Sequence, residues 1–157
     1  MNENLTTFPD EWKRQFEGLL YLGHLEKKVT SIPFHEFVVK TLTVSEKLEV
    51  SLLTKDYVDT IGYGRAYRAA VVAAGLQTVD GRSLIPSSKG LNTLRQKYDY
   101  VINGWYDAVI DVLFGEIDEL EGQVLMVLQE LGILNAHLAN PIFEDEQEDT
   151  DTPKDGK

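Results

Sequence analysis

The stretch "HEFVVKTLTVSEKLEV", residues 35–50, changes its periodicity halfway, and no other feature constrains the fold of this chain so strongly. Its first half is rich in β-branched and aromatic residues, which favour a strand. The following Thr-Val-Ser-Glu matches a capping box, in which the Thr43 hydroxyl accepts from the backbone N–H of Glu46 and the Glu46 carboxylate accepts from the N–H of Thr43. We therefore expect the chain to pass directly from a strand into a helix at Thr43.

An alternating apolar pattern precedes this helix and lies on both sides of a break at Ser31–Pro33. Such a pattern is typical of a β-hairpin, which we place at about 20–42. Two strands alone are marginally stable in water, so the hairpin should lie on helices or pair with strands of another chain. Upstream, Asp10 can cap a short amphipathic helix. The apolar face of this helix would carry Trp12, Phe16, Leu19 and Leu20.

Three helical segments are predicted after the hairpin, at about 44–55, 65–76 and 88–133. In the first, Leu48, Leu52 and Leu53 follow Thr43 at helical spacing. The second is rich in alanine, whose small side chain allows close packing, so we expect a buried central helix.

Two dipeptides that favour turns interrupt or separate these helical segments. Asn103-Gly104 lies inside the long third segment, which can bend or break there. Asp80-Gly81 lies between the second and third segments and indicates a tight hairpin or an exposed loop.

Length and composition place the chain in an ordinary globular class, with 157 residues, 43% of them hydrophobic and 26% charged. We predict one α+β domain over 1–143 that is mostly α, with the N-terminal β-hairpin packed on a helical bundle. The last residues, 144–157, contain seven acids and no apolar side chain, so we expect a disordered acidic tail. The net charge of −11 disfavours nucleic acid as a partner.

The sequence contains no run of about 18 apolar residues, the length that a membrane-spanning helix requires. Its first residues have neither the basic nor the apolar region of a secretory signal peptide. We therefore expect a cytoplasmic protein. Cysteine is absent, and the three histidines, His24, His35 and His137, do not have metal-ligand spacing. The acids at 116–121 occupy consecutive helix positions that point in different directions, so we expect a solvated face rather than a cation site.

Gly62-Tyr63-Gly64 precedes a helix but lacks the third glycine of a dinucleotide-binding loop, and no Gly-x-Ser-x-Gly sequence exists. From these patterns we predict no catalytic residues, no cofactor, no metal and no enzymatic activity. Aromatic and basic side chains cluster around these glycines, and we favour a protein interface over a nucleotide site for them. The cluster comprises Tyr57, Tyr63, Arg65, Tyr67 and Arg68.

Residues 16–50 contain three motifs in a fixed order, "LYLG" at 20–23, "FVVKTLT" at 37–43 and the acid Glu46 that follows. This order of motifs resembles the N-terminal segment of the tail assembly chaperones of long-tailed bacteriophages. The resemblance covers about a quarter of the chain. It implies a non-enzymatic protein in the cytoplasm of the bacterial host that binds the tape measure protein and recruits tail tube subunits during virion morphogenesis.

Such a chaperone needs an apolar surface for its client. One candidate is the apolar stripe of the last helix, flanked by acids, although the same stripe also suits an ordinary core. Its residues are Ile117, Leu120, Val124, Leu128 and Leu131. Self-association is a further expectation, because the hairpin edge and the final helix are both able to pair. Two other hypotheses stay open, a structural virion protein of the tail or head-tail connector and an acidic regulatory or inhibitory binding protein.

Overall fold

A computed structural model describes residues 24–85 and 90–130, and all structural statements below concern these residues. They form three strands, β1 (Glu26–Val29), β2 (Phe37–Lys40) and β3 (Leu76–Val79). The α-helices are α1 (Val44–Thr54), α2 (Tyr63–Gly75), α3 (Leu91–Gly104) and α4 (Asp107–Glu130). The fold is thus α+β and mostly α, as predicted.

The three strands form one antiparallel sheet in the order β1-β2-β3. Glu26 lies opposite Lys40 and Val29 lies opposite Phe37, so the predicted hairpin is confirmed with a loop over 30–36. Strand β3 was not predicted. It pairs antiparallel with β2, and the register of this pairing is irregular between Val38 and Val39. Although β3 follows α1 and α2 in the sequence, it lies beside the hairpin as the third strand of the sheet.

Helix α2 occupies the centre of the fold, as its alanine content predicted, and eight of its 13 residues are buried. It packs against α1 and α3, while the sheet covers the same core from another side. The small side chains of α2 let the neighbouring elements approach its backbone closely, so large side chains of those elements pack against the α2 backbone as well as against its side chains. Fully buried examples are Ala70, Val72 and Ala73, together with Val39 of β2.

The Asp-Gly signal after β3 forms a tight turn. Asp80 and Gly81 both have positive φ, at 51° and 77°, as a type I′ turn requires. Val79 and Arg82 exchange both backbone hydrogen bonds across it, at 2.9 and 3.0 Å. The turn therefore ends β3 and reverses the chain.

The helical segment predicted over 88–133 contains two helices among its described residues, and the break between them falls at Asn103-Gly104, where the sequence indicated a bend or a break. Helix α3 ends at Gly104, and Trp105 adopts extended φ and ψ of −110° and 147°. Its indole packs edge-on against Phe37, with ring centroids 5.8 Å apart. Docking of this aromatic ring on the sheet accompanies the break that Asn103-Gly104 signalled.

By its internal contacts the chain divides into two units, residues 1–123 and 124–157. The first contains the sheet and the core, and of the second the structure describes the last turns of α4. The single domain predicted over 1–143 stays a prediction. The short helix predicted after Asp10 and the acidic tail predicted over 144–157 lie outside the described residues.

Candidate protein-binding surfaces

The apolar stripe predicted on the last helix is not a free surface at its first two positions. Ile117 and Leu120 are only 1% and 3% exposed, and Ile117 belongs to the main core. The hypothesis of a client-binding surface is therefore wrong for these two residues. Val124 is half-buried. The side chain of Leu128, and Leu131 as a whole, lie outside what the structure describes.

The acids on α4, expected to form a solvated face, instead join α4 to the hairpin. Lys27 Nζ lies 2.7 Å from Glu116 Oε2 and 3.2 Å from Glu119 Oε2. Ser31 Oγ donates to the other oxygen of Glu116 at 3.1 Å. The hydrogen bond with Lys27 holds the pKa of Glu116 below its usual range, against the opposing effect of burial. These carboxylates therefore serve packing of the helix on β1, and only Asp118 and Glu119 remain exposed.

Glu121 makes a similar contact one turn later. Its Oε1 accepts from the backbone N–H of Leu42 at 3.0 Å, and its Oε2 lies 3.5 Å from Lys47 Nζ. This acid therefore satisfies the backbone N–H of the buried residue Leu42 at the junction of β2 and α1. The apolar periodicity of this segment was enough to predict the helix, but not these partners of its acids, which lie 74 or more residues away in sequence.

The predicted capping box at the start of α1 is confirmed, with both reciprocal hydrogen bonds between Thr43 and Glu46 present. Lys40 Nζ also donates to both carboxylate oxygens of Glu46, each at 2.5 Å. Lys40 is only 8% exposed, so Glu46 both caps the helix and pairs a buried cation. Burial, and then the positive charge of Lys40, lowers the pKa of nearby Lys97. We assign this cluster a structural role.

His35, one of the histidines that lack metal-ligand spacing, has a partner in the turn after β3. Its Nδ1 lies 2.8 Å from Asp80 Oδ2, and the other carboxylate oxygen accepts from the backbone N–H of Glu36 at 2.8 Å. That backbone hydrogen bond, followed by the one with His35, lowers the pKa of Asp80. Within the described parts of the chain, no three acids or histidines converge as a metal site would require. No helix there has the length and apolar character that a membrane crossing needs.

Among the exposed apolar side chains of the described residues, two groups lie on and beside helices α1 and α2. The first, which we name the α1 stripe, consists of Val44, Leu48 and Leu52, which are 75%, 62% and 54% exposed. A spacing of four residues places all three on one face of α1. The opposite face is buried through Val50, Leu53 and Thr54. The helical spacing of leucines in this segment predicted an apolar face, but most of that face points away from the core.

The second surface, which we name the tyrosine surface, consists of Val58, Ile61, Tyr63 and Tyr67. Ile61 is fully exposed, and Val58 is about half exposed. The rings of Tyr63 and Tyr67 stack with centroids 5.9 Å apart, and Tyr67 contacts Phe114 edge-on. This surface thus joins the loop before α2 to the outer face of that helix.

Backbone hydrogen bonds hold the loop that displays Val58 and Ile61. The carbonyl of Tyr57 accepts from both the N–H and the hydroxyl of Thr60, at 3.0 and 2.6 Å. The carbonyl of Thr60 then accepts from the N–H of Tyr63 at 3.3 Å. These successive turns fix the loop without using its apolar side chains, which stay available for a partner.

Two ion pairs border the tyrosine surface. Arg68 Nε lies 3.0 Å from Asp111, and Arg65 Nε lies 3.8 Å from Asp107. Both arginines therefore connect α2 to α4 and are engaged within the chain. The sequence analysis favoured an interface at the tyrosines and arginines, which stays a prediction, and it did not single out Val58 and Ile61, which the structure shows to be exposed. The available signal was the presence of apolar residues without helical spacing in "YVDTIGYG", residues 57–64.

Comparison with known proteins identifies no relative. No protein-family model matches the chain, no curated protein matches it, and no solved structure matches it. Its function is therefore inferred from its own sequence and surfaces.

Proposed function

We propose that this chain is a non-enzymatic tail assembly chaperone of a long-tailed bacteriophage, which binds the tape measure protein and helps to recruit tail tube subunits. The resemblance of residues 16–50 supplies the class of protein and of client. The observation that carries the location of binding is the full exposure of Ile61 on a loop held by its own hydrogen bonds.

The tyrosine surface suits a helical client. Tyrosine offers a large, amphipathic contact area and loses little conformational entropy on binding, and such residues are enriched where proteins bind each other. An isoleucine and a valine beside the stacked rings add apolar area that can cover an apolar stripe of the client. The chain's net charge of −11 helps to keep a complex of this kind soluble.

Co-expression tests the proposal. The full chain is produced with the tape measure protein encoded in the same genome, and the soluble fraction of that client and its co-purification are measured. We expect the chain to raise soluble client and to co-purify with it. Ile61→Asp should abolish most of this effect without unfolding the chain, because the replaced side chain makes no buried contact.

Ile102→Asp is the matched control, since Ile102 is a 42% exposed isoleucine on α3 that is not part of the tyrosine surface. It should behave as the unsubstituted chain does. If the unsubstituted chain changes neither solubility nor recovery of the client, the chaperone proposal is wrong. If both isoleucine variants retain full effect, binding does not use the tyrosine surface.

Mass spectrometry of purified particles separates the chaperone from a structural virion protein. A chaperone should be absent from finished virions, whereas a tail or connector component should be present in stoichiometric amount.

A further inference from the structure

A single charged residue lies within the loop that displays the tyrosine surface. Asp59 is placed between Val58 and Ile61, and it is the only charged residue in "YVDTIGYG", residues 57–64. We propose that the client segment bound by the tyrosine surface is an amphipathic helix with a lysine or arginine beside its apolar stripe, and that this cation pairs with Asp59. The inference rests on the proposed function in taking the tyrosine surface as the place of binding.

The carboxylate of Asp59 is exposed, and no hydrogen bond or ion pair among the described residues uses it. The hydroxyl of Thr60, the next residue, differs because it already donates to the Tyr57 carbonyl at 2.6 Å. The backbone of Asp59 has a φ of 66°, a conformation that aspartate adopts more readily than most residues. The Asp59 carboxylate is therefore held on an ordered loop and remains available to a partner.

The cations nearest to Asp59 in sequence have acidic neighbours of their own. Arg65 and Arg68 both pair with aspartates of α4. Lys55, before the loop, is followed directly by an aspartate. These charges balance within the chain, so Asp59 adds an uncompensated negative charge beside the exposed apolar side chains.

A client that covers both Val58 and Ile61 also removes water from around Asp59. Two residues span at most about 7 Å, so the backbone of Asp59 stays close to that of Ile61. An ionised carboxylate that loses water without gaining a partner weakens binding. A lysine or arginine at the border of the client's apolar stripe offsets this loss through a charge-assisted hydrogen bond. An acidic or uncharged border is disfavoured, so Asp59 gives the surface selectivity among apolar helices.

The shape of the tyrosine surface suits a helix. Tyr63 and Tyr67 are four residues apart, so their stacked rings form a ridge on the outer face of α2. Ridges of this kind fit the grooves between the side-chain rows of another helix. Because the loop leads directly into α2, a client helix that lies along the ridge also reaches the loop, where its cation can meet Asp59.

Peptide binding tests the proposal on the full chain. The probes are two fluorescein-labelled helical peptides, about five turns long, that share one leucine stripe and differ in carrying lysine or glutamate along its border. Fluorescence anisotropy measures the Kd of each peptide at low salt. We expect the lysine peptide to bind more tightly than the glutamate peptide, and Ile61→Asp to abolish most of its binding. Asp59→Asn should weaken the lysine peptide about threefold, as loss of an exposed ion pair does.

Reversal of charge at two positions separates a local pairing from the net charge of the chain. Asp59→Lys should reverse the preference, so that the glutamate peptide binds more tightly. Asp118→Lys is the matched control, because Asp118 is also exposed and changes the net charge equally. It lies 11 residues beyond Asp107, the partner of Arg65, and thus about 16 Å farther along α4. The control should keep the preference for the lysine peptide, and circular dichroism verifies that each variant is folded.

Equal effects of Asp59→Lys and Asp118→Lys would show that net charge selects the peptide and would overturn the proposal. Failure of both peptides to bind, or binding that Ile61→Asp leaves unchanged, would overturn it as well. The chaperone proposal has its own test in co-expression with the tape measure protein. A gain in soluble client without any selectivity between the peptides would therefore contradict only the role of Asp59.

Discussion

The Cδ1 atom of Ile117 lies 2.6 Å from the position that a Cβ atom on Gly75 would occupy, closer than two such carbons approach each other. The carbonyl oxygen of Lys40 lies 3.1 Å from the same position. The end of α2, strand β2 and helix α4 thus meet at a point where only glycine fits. Gly75→Ala should lower the free energy of unfolding by about 1–3 kcal/mol through overpacking. Urea unfolding measures this loss.

Gly115→Ala is the control for this substitution. A Cβ atom at Gly115, inside α4, would meet no atom within 4 Å. Alanine is the better helix former by about 1 kcal/mol, so Gly115→Ala should stabilise the chain. Ile117→Val should also recover part of the stability lost in Gly75→Ala. If Gly75→Ala and Gly115→Ala change the free energy of unfolding equally, close packing at Gly75 is not the cause of the stability loss in Gly75→Ala.

Glu46 has two tasks that substitutions can separate. Glu46→Gln can still accept from the Thr43 N–H but loses the charge that pairs the buried Lys40. We expect it to cost about 2 kcal/mol in urea unfolding, because a buried cation is left unpaired. Thr43→Ala, which removes only the other half of the capping box, should cost about 1 kcal/mol.

A double variant tests this division. Adding Lys40→Met to Glu46→Gln removes the unpaired cation and should restore part of the stability. An additive loss in the double variant would mean that Lys40 and Glu46 do not depend on each other.

The Lys27–Glu116 pair makes stability depend on pH. The pKa of Glu116 is lowered in the folded chain, chiefly by the hydrogen bond with Lys27, from an ordinary value of 4.5. Its contribution is therefore fully present above pH 4.5 and is lost as pH falls through the folded pKa. Because Lys27 is 32% exposed, we expect Glu116→Gln to cost about 1 kcal/mol at pH 7. Urea unfolding should show this difference shrinking as the pH falls below 4.5 and through the lowered pKa of Glu116.

The same pair predicts the opposite behaviour in alkali. Hydrogen bonding to Glu116 raises the pKa of Lys27 above 10.5, so its contribution is present below that pH and is lost as pH rises through the folded pKa. Asp118→Asn, on the exposed side of the same helix, is the control and should show neither dependence. A pH-independent effect of Glu116→Gln would contradict the ion pair.

Phe34, at the tip of the β1–β2 loop, is 97% exposed and has a φ of 73°. This left-handed conformation is unfavourable for a bulky side chain and is well tolerated by asparagine. Phe34→Asn should therefore raise the free energy of unfolding by about 1 kcal/mol. Thermal or urea unfolding measures the gain. Val58→Asn is the control, because Val58 is also exposed but has an ordinary φ of −55°. An equal gain in both variants would show that backbone strain is not the cause.

Local patterns predicted those elements whose hydrogen bonds join near neighbours. The capping box links residues three apart, and the Asp80-Gly81 turn needs only its own positive φ values, so both could be found from a few letters. The buried central helix followed from a run of small side chains. Strand β3 was missed because four residues carry little signal of their own, and their pairing with β2 spans about 40 residues.

The sequence by itself determined where α1 begins, where the chain turns at Asp80-Gly81 and that the fold is α+β. Tertiary structure decided which side of each element is buried. Leu48 and Leu52 face outward because Val50 and Leu53 contact the core, and a helical spacing of leucines fits either orientation. Ile117 faces inward because Gly75 leaves room for it, and Glu116 reaches Lys27 across 89 residues. Such contacts depend on how the elements pack together, which the periodicity of a single element does not contain.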